Sequence, residues 1–174
     1  MKSDSELEKL AERLRRGSVG NADVAEFIRL VSGEDRLDVL KAALRLNYEY
    51  AGPILERIIE ILPRDAKAHL SLALWKYMNG LDDQALEFLE EARQLAPHDC
   101  DVLRADVWFS FSRGPEESLE KCRLLLETFP HDQWAADVKK KICTDGELRE
   151  LGSPEWSNPW QDLINGVQPT GDRP

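Results

Sequence analysis

A tripeptide that recurs at nearly constant intervals is the feature that most constrains this chain. It occurs as Pro63-Arg64-Asp65, Pro97-His98-Asp99 and Pro130-His131-Asp132, with the prolines 34 and then 33 residues apart. Proline disfavours the α conformation in the residue before it, and an aspartate two positions later accepts hydrogen bonds from the first amides of a helix. Each copy therefore predicts the end of one helix and the start of the next. A period of this length indicates stacked supersecondary units.

Glycines provide a second marker of the same period. Gly80 and Gly114 are also 34 residues apart, and each lies about halfway between two of the prolines. Apolar residues at helical spacing occupy the intervals between these markers. The pattern predicts two antiparallel helix hairpins with a turn at each glycine, and the predicted helices are 66–79, 82–96, 100–113 and 116–129.

The first of the two hairpins, unit 66–99, resembles the tetratricopeptide repeat, a 34-residue helix-turn-helix family. The residues that carry the resemblance are Leu72, Ala73, Gly80, Ala85, Leu89, Ala92 and Pro97. Unit 100–132 is similar but has Ser118 and Leu125 in place of the two alanines, and Asp106 in place of a leucine. The resemblance implies an all-α fold, a right-handed superhelical stack of antiparallel helix pairs of the α-solenoid type.

The flanking segments are predicted to complete and cap this stack. Residues 34–65 read as a degenerate third unit, because their apolar residues keep the same distances from Pro63, and Gly52-Pro53 suggests a late start for its second helix. The remaining expectations are amphipathic helices at 4–15 and 22–31 within 1–33, a capping helix at about 132–143 within 133–152, and a tryptophan-containing, partly disordered tail at 153–174 with a short helix at 159–166.

Charge and composition exclude several classes of partner. The chain has 33 Asp and Glu against 23 Lys and Arg, a net charge of −10, which repels phosphate backbones and anionic lipid headgroups. We therefore expect no nucleic acid and no membrane as partner. The first residues lack the apolar core of a secretory signal, and the odd number of cysteines suits reduced thiols, so we expect a cytoplasmic location.

The sequence has no recognisable motif for metal binding, phosphate binding or catalysis. His69, His98 and His131 are the three histidines, and no two of them are three or four residues apart on a helix, so no metal site is predicted. The glycines form no phosphate-binding loop. We expect no cofactor, no catalytic residue and no enzymatic activity.

The resemblance implies a binding surface, because in this family the first helix of each unit lines a concave groove that holds a segment of a partner. The implied groove residues are Lys67, Leu70, Leu74, Tyr77, Met78, Asp101, Arg104, Trp108, Phe111 and Ser112. Some members clamp a chaperone-tail carboxylate with Lys and Asn at these positions, but here two of the positions are leucines, so we expect no such clamp.

Aromatic side chains are the expected contacts with a partner. Tyr77, Trp108 and Phe111 combine large area with low rotamer entropy, whereas at least half of Trp75, Trp108, Phe109 and Phe111 should pack between helices. Trp156 and Trp160 either pack simply or fold back onto the groove or end face. The expected function is that of a protein-protein interaction scaffold or adaptor binding another protein or peptide, of undetermined oligomeric state. Alternatives are a dedicated chaperone of a bacterial secretion system or a non-catalytic subunit of an enzyme.

Overall fold

A computed structural model describes residues 5–17, 20–47 and 49–145, and these residues form nine α-helices and no strand. From residue 51 onward each helix packs mainly on its neighbours in the chain, whereas the helix Leu37–Leu46 packs mainly on the helix Glu6–Arg15. The helices are α1 Glu6–Arg15, α2 Asn21–Ser32, α3 Leu37–Leu46, α4 Ala51–Ile61, α5 Ala66–Met78, α6 Asp82–Leu95, α7 Cys100–Ser110, α8 Pro115–Thr128 and α9 Gln133–Asp145. The tail expected at 153–174, with Trp156 and Trp160, lies outside the described residues.

Helix starts at the recurring tripeptide have the predicted caps. The Asp65 carboxylate accepts hydrogen bonds from the backbone amides of Lys67 and Ala68, at 3.0 and 3.2 Å. The corresponding oxygens of Asp99 and Asp132 accept from amides in the first turns of α7 and α9, at 2.9 and 2.8 Å. Side-chain acceptors thus satisfy amides that have no partner inside the helix.

The turn between α5 and α6 depends on a glycine in the left-handed region. Gly80 has φ +72°, and its amide donates to the Tyr77 carbonyl while that of Leu81 donates to Lys76, both at 3.0 Å. This pair of bonds is the Schellman arrangement, which favours glycine because a β-carbon is strained at positive φ. The predicted hairpin is therefore confirmed at the level of its turn.

Most predicted helix bounds agree with the structure, and the largest difference is at the end of α7. That helix ends at Ser110, three residues before the predicted end at residue 113, and the following three residues form a turn that leads into Gly114. In the degenerate unit, α4 begins at Ala51 with Pro53 in its first turn, as predicted.

The core is divided into three hydrophobic clusters in chain order. Helix α5 belongs to two of them, since Ala68 and Leu72 join the first cluster while Leu70 and Leu74 join the second. Helix α7 likewise belongs to the second and third clusters. A helix with apolar residues on two sides is buried between neighbours, and this is why α5 and α7 form the middle of the fold.

Helices α5 and α7 lie side by side and run in the same direction. Near their first turns, Lys67 Nζ is 3.4 Å from Asp101 Oδ2. Near their last turns, the rings of Tyr77 and Phe109 are stacked with centroids 4.2 Å apart. Contacts at both ends in the same order mean that the first helices of successive units are parallel neighbours.

Candidate functional site

The first helices of the last units, α5, α7 and the α9 that follows, share a surface that we call the first-helix face. On α7 it consists of Asp101, Arg104 and Trp108, and Phe111, the first residue after the helix, extends it. Their spacings of three, four and three residues put these side chains on one side. The N-terminal half of the face is charged and the C-terminal half is aromatic.

The charged half is a series of ion pairs that we call the charged ladder. Lys67 Nζ lies 3.1 Å from Asp99 Oδ2 and 3.4 Å from Asp101 Oδ2. Arg104 places Nη2 and Nε at 2.6 and 2.7 Å from a single oxygen of Asp132. Asp99 and Asp132 thus have two functions, because each caps its own helix and also binds a cation from the preceding first helix.

These pairs neutralise the cations that an external anion would need. Burial alone would lower the pKa of Lys67, but the carboxylates of Asp99 and Asp101 outweigh it and hold its pKa above the ordinary value. The side chains of Asp101 and Asp132 are themselves almost completely buried, at 4% and 2% exposure. The ladder therefore fixes neighbouring helices to each other, and its cations are already occupied by internal carboxylates.

The aromatic half consists of two pairs of contacting rings that we together call the aromatic row, made of Tyr77, Trp108, Phe111 and Trp134. Tyr77 and Trp108 meet edge to face with centroids 5.1 Å apart, and Phe111 and Trp134 stack at 6.1 Å. All four side chains are partly exposed. Phe109 lies beneath Tyr77 and is 1% exposed, so the row rests on the core.

Polar groups at one end of the row make it amphipathic. Burial, followed by the nearby Asp82 carboxylate, raises the pKa of Tyr77, so its hydroxyl stays protonated at neutral pH. Met78, one residue further along, is 63% exposed. This end of the face therefore offers a neutral hydroxyl and a flexible apolar side chain next to rigid rings.

Five of the implied groove residues fall into two groups in the structure. Lys67 and Arg104 belong to the charged ladder, and Tyr77, Trp108 and Phe111 belong to the aromatic row.

Two of the implied groove residues are buried in the core. Leu70 and Leu74 are 0% and 1% exposed and belong to the core cluster between α5, α6 and α7, so they are not part of the partly exposed surface. The reason is that α5 packs on both sides, which the resemblance alone did not show. Trp75 is packed differently again, against Gly52 of α4.

Sequence reasoning missed one member of the row. The capping helix predicted at about 132–143 assigned Trp134 no role in the groove, but its ring stacks on Phe111. The signal was present, because Trp134 is 33 residues after Asp101, an implied groove position, and 33 is the spacing of the last two prolines. Continuing the repeat by one helix would have placed Trp134 on the face.

A second polar cluster lies where α7 meets α6 and α8. Asp106, which replaces an expected leucine, is buried with Oδ2 2.9 Å from Lys121 Nζ and 3.8 Å from an Arg93 nitrogen. The atoms are in ion-pair contact, although Oδ2 has no aligned hydrogen bond. The cluster holds a buried carboxylate between cations of the two flanking helices.

The described residues form neither a metal centre nor a membrane-spanning helix. These residues contain no group of three or more His, Cys, Asp or Glu arranged to hold a metal ion. No helix within the described ranges combines the length and apolarity needed to cross a bilayer. Buried His69 has its Nε2 3.0 Å from the Pro63 carbonyl oxygen and so packs on the preceding interhelix turn.

Comparison with known proteins gives no relative from which a function can be transferred, because the chain matches no family model and no curated protein sequence. The geometry of the first-helix face is therefore the basis for assigning a function.

Proposed function

We propose that this chain is a helical-repeat module of the tetratricopeptide type that binds a segment of another polypeptide along its first-helix face. The proposed role is that of a non-catalytic scaffold or adaptor that binds another protein. In this architecture α5, α7 and α9 form the inner wall of a right-handed stack. The repeated Asp caps and the parallel packing of α5 and α7 support this architecture.

The observation that carries the proposal is the aromatic row. Its four partly exposed rings form two contacting pairs on the first-helix face, Tyr77 with Trp108 and Phe111 with Trp134. Aromatic side chains supply large contact areas with few rotatable bonds, and they dominate the binding energy of interfaces when a partner desolvates them. An apolar strip bordered by paired charges suits a segment that inserts apolar anchors, because the charges beside it are already satisfied.

Residues of the charged ladder are poor sites for testing the binding surface by substitution, because they also hold the helices together. Arg104 holds Asp132 at the start of α9, so a change at Arg104 alters the fold as well as the surface. Trp108 and Phe111 are better targets, since both are partly exposed and lie outside the fully buried core. Ile28 on α2, 43% exposed, provides a matched apolar control outside the face.

The experiment is a selection of peptides from a displayed random library on the full chain, followed by calorimetric titration of the selected synthetic peptides. We expect peptides with aromatic or aliphatic anchors, and Trp108→Ala and Phe111→Ala should each weaken their binding at least tenfold. Ile28→Ala should leave binding unchanged. Equal binding to all four proteins, with helicity retained by circular dichroism, would overturn the proposal.

A further inference from the structure

The first and last helices of the described chain present different surfaces to solvent. Toward the C-terminal end, α9 exposes mainly polar and charged side chains, among them Gln133 and Asp137. Toward the N-terminal end, α2 packs on α1 and α4 and exposes Ala22, Ala25 and Ile28 on its outer side, with Ile28 43% exposed. The end of a helical stack that stays in water has a polar outer face, and α9 meets this condition better than α2.

Charge is distributed unevenly along the chain. Residues 1–46 contain nine Asp and Glu and nine Lys and Arg, whereas residues 47–174 contain 24 and 14. The whole net charge of −10 therefore belongs to the part of the chain after residue 46. Two copies of this protein repel each other through that part, but they meet no net repulsion through the part that contains α1, α2 and α3.

The charged side chains of α2 are paired within the molecule. Asp23 Oδ1 lies 2.7 Å from Arg13 Nη2 of α1, and Glu26 Oε1 lies 2.6 Å from Arg29 Nη2, three residues later. A strongly charged partner therefore finds no net charge of opposite sign on this helix. An occupant that is itself neutral where it binds is favoured, and the N-terminal part of a second copy meets that condition.

We infer that α2 binds α2 of a second copy of this chain as an antiparallel, two-fold symmetric pair. In such a pair each contact between two residues occurs twice, once in each direction. When the axis passes midway between residues 26 and 29, Glu26 lies opposite Arg29 of the second copy, and Arg29 lies opposite Glu26. The order of charges along α2 is thus complementary to itself on reversal, with Ala25 and Ile28 beside the charges. The inference is independent of the proposed function, because α2 lies outside the first-helix face.

The strength of this association follows from its size. One pair of short helices forms an interface below about 1,200 Å² of total buried area, which is typical of weak complexes. We therefore expect a dissociation constant on the order of 100 µM. Exposed ion pairs add little to such an affinity, but like charges placed opposite each other select strongly against a given geometry.

Sedimentation equilibrium of the full chain, from about 10 to about 500 µM, tests the inference. The weight-average mass of the wild type should rise from that of one chain toward that of two chains and no further. Ile28→Ser should weaken the association at least tenfold. Leu124→Ser is the matched control, because Leu124 is 46% exposed on α8 and should not affect the association.

Charge reversal tests the geometry. Glu26→Arg and Arg29→Glu each place like charges opposite each other across the axis, so each variant alone should associate at least tenfold more weakly than the wild type. An equimolar mixture of the two variants should associate at least as strongly as the wild type, because the arginines of one then face the glutamates of the other. The double variant Glu26→Arg/Arg29→Glu should also regain the association, and circular dichroism checks that helicity is retained throughout.

Several outcomes would overturn the inference. They are a wild-type chain that stays monomeric at about 500 µM, association that Ile28→Ser leaves unchanged, growth beyond two chains, or a mixture of the charge variants that associates no better than either alone. None of these substitutions touches the first-helix face. Peptide binding by that face therefore gives a separate result, and either idea can fail without the other.

Discussion

Trp75 of α5 lies directly against Gly52 of α4, so that a β-carbon on the glycine would be 2.5 Å from the edge of the indole ring. No side chain fits in that space unless the ring moves. The contact joins α4 to α5, which lie in the two predicted units 34–65 and 66–99.

We predict that Gly52→Ala destabilises the protein by about 2 kcal/mol, the usual cost of overpacking a filled contact. Chemical denaturation measures the loss. Gly33→Ala is the control, because its β-carbon would meet only backbone oxygens at 3.7 and 3.9 Å, ordinary van der Waals distances. A Trp75→Leu background should remove most of the cost; an equal cost in both backgrounds would contradict the contact as its cause.

The sequence alone predicted where the helices begin, but it did not predict which side chains of each helix are buried. Proline and aspartate act on the residues beside them, so the helix starts after Asp65 and Asp99 were predictable from local chemistry. The burial of Leu70 depends on α6 and α7 packing against that side of α5, which is a tertiary property. Gly52 gave no local signal either, since its role depends on Trp75, 23 residues away.

The two functions of Asp132 can be separated by substitution. Asparagine caps helices about as well as aspartate, so Asp132→Asn keeps the cap on α9 but removes the carboxylate that lies 2.6 Å from Arg104 Nη2, while the Asp101 carboxylate stays 3.7 Å from Arg104 Nη1. We predict a loss of about 2 to 3 kcal/mol, below the usual cost of breaking a fully buried pair because Arg104 is 21% exposed. Urea denaturation measures it.

Asp65→Asn is the matched control for Asp132→Asn. Asp65 caps α5 in the same way, but within the described part of the chain it makes no ion pair. Its substitution should cost less than about 0.5 kcal/mol. Similar losses for the two variants would show that the ion pair to Arg104 contributes little.

The three thiols should react in a fixed order. Burial raises the pKa of Cys100 to about 11 and that of Cys122 to about 12, whereas Cys143 is exposed. Since the thiolate is the nucleophile, iodoacetamide at pH 8 should modify Cys143 first, Cys100 much more slowly and Cys122 slowest. Peptide mapping by mass spectrometry measures the rates.

The pH dependence of these rates has a definite sign. Below its raised pKa, the thiolate population of Cys100 increases about tenfold per pH unit, so its reaction should accelerate steadily from pH 8 to 10. In 6 M guanidinium the three rates should become similar, which provides the control. Rapid modification of Cys122 in the native protein would contradict its burial.

Replacing the buried carboxylate of Asp106 should destabilise the protein less than removing its cationic partner Lys121. Lys121→Met removes the cation 2.9 Å from Asp106 and leaves a buried charge with Arg93 alone, at 3.8 Å. We expect a loss of about 2 to 3 kcal/mol, because an uncompensated buried charge is expensive. Lys139→Met, at an exposed position of α9, is the control and should be neutral.

Asp106→Leu should cost less than about 1 kcal/mol or stabilise the protein, because it removes the buried charge and the unaligned oxygen together. Lys121 and Arg93 are 21% and 39% exposed, so each can turn its charged end toward solvent while its alkyl stem stays packed. Thermal unfolding of the three variants measures the order. If Asp106→Leu is as destabilising as Lys121→Met, the ion cluster has a net stabilising role, and the departure of this unit from the leucine of the repeat pattern is then explained by stability.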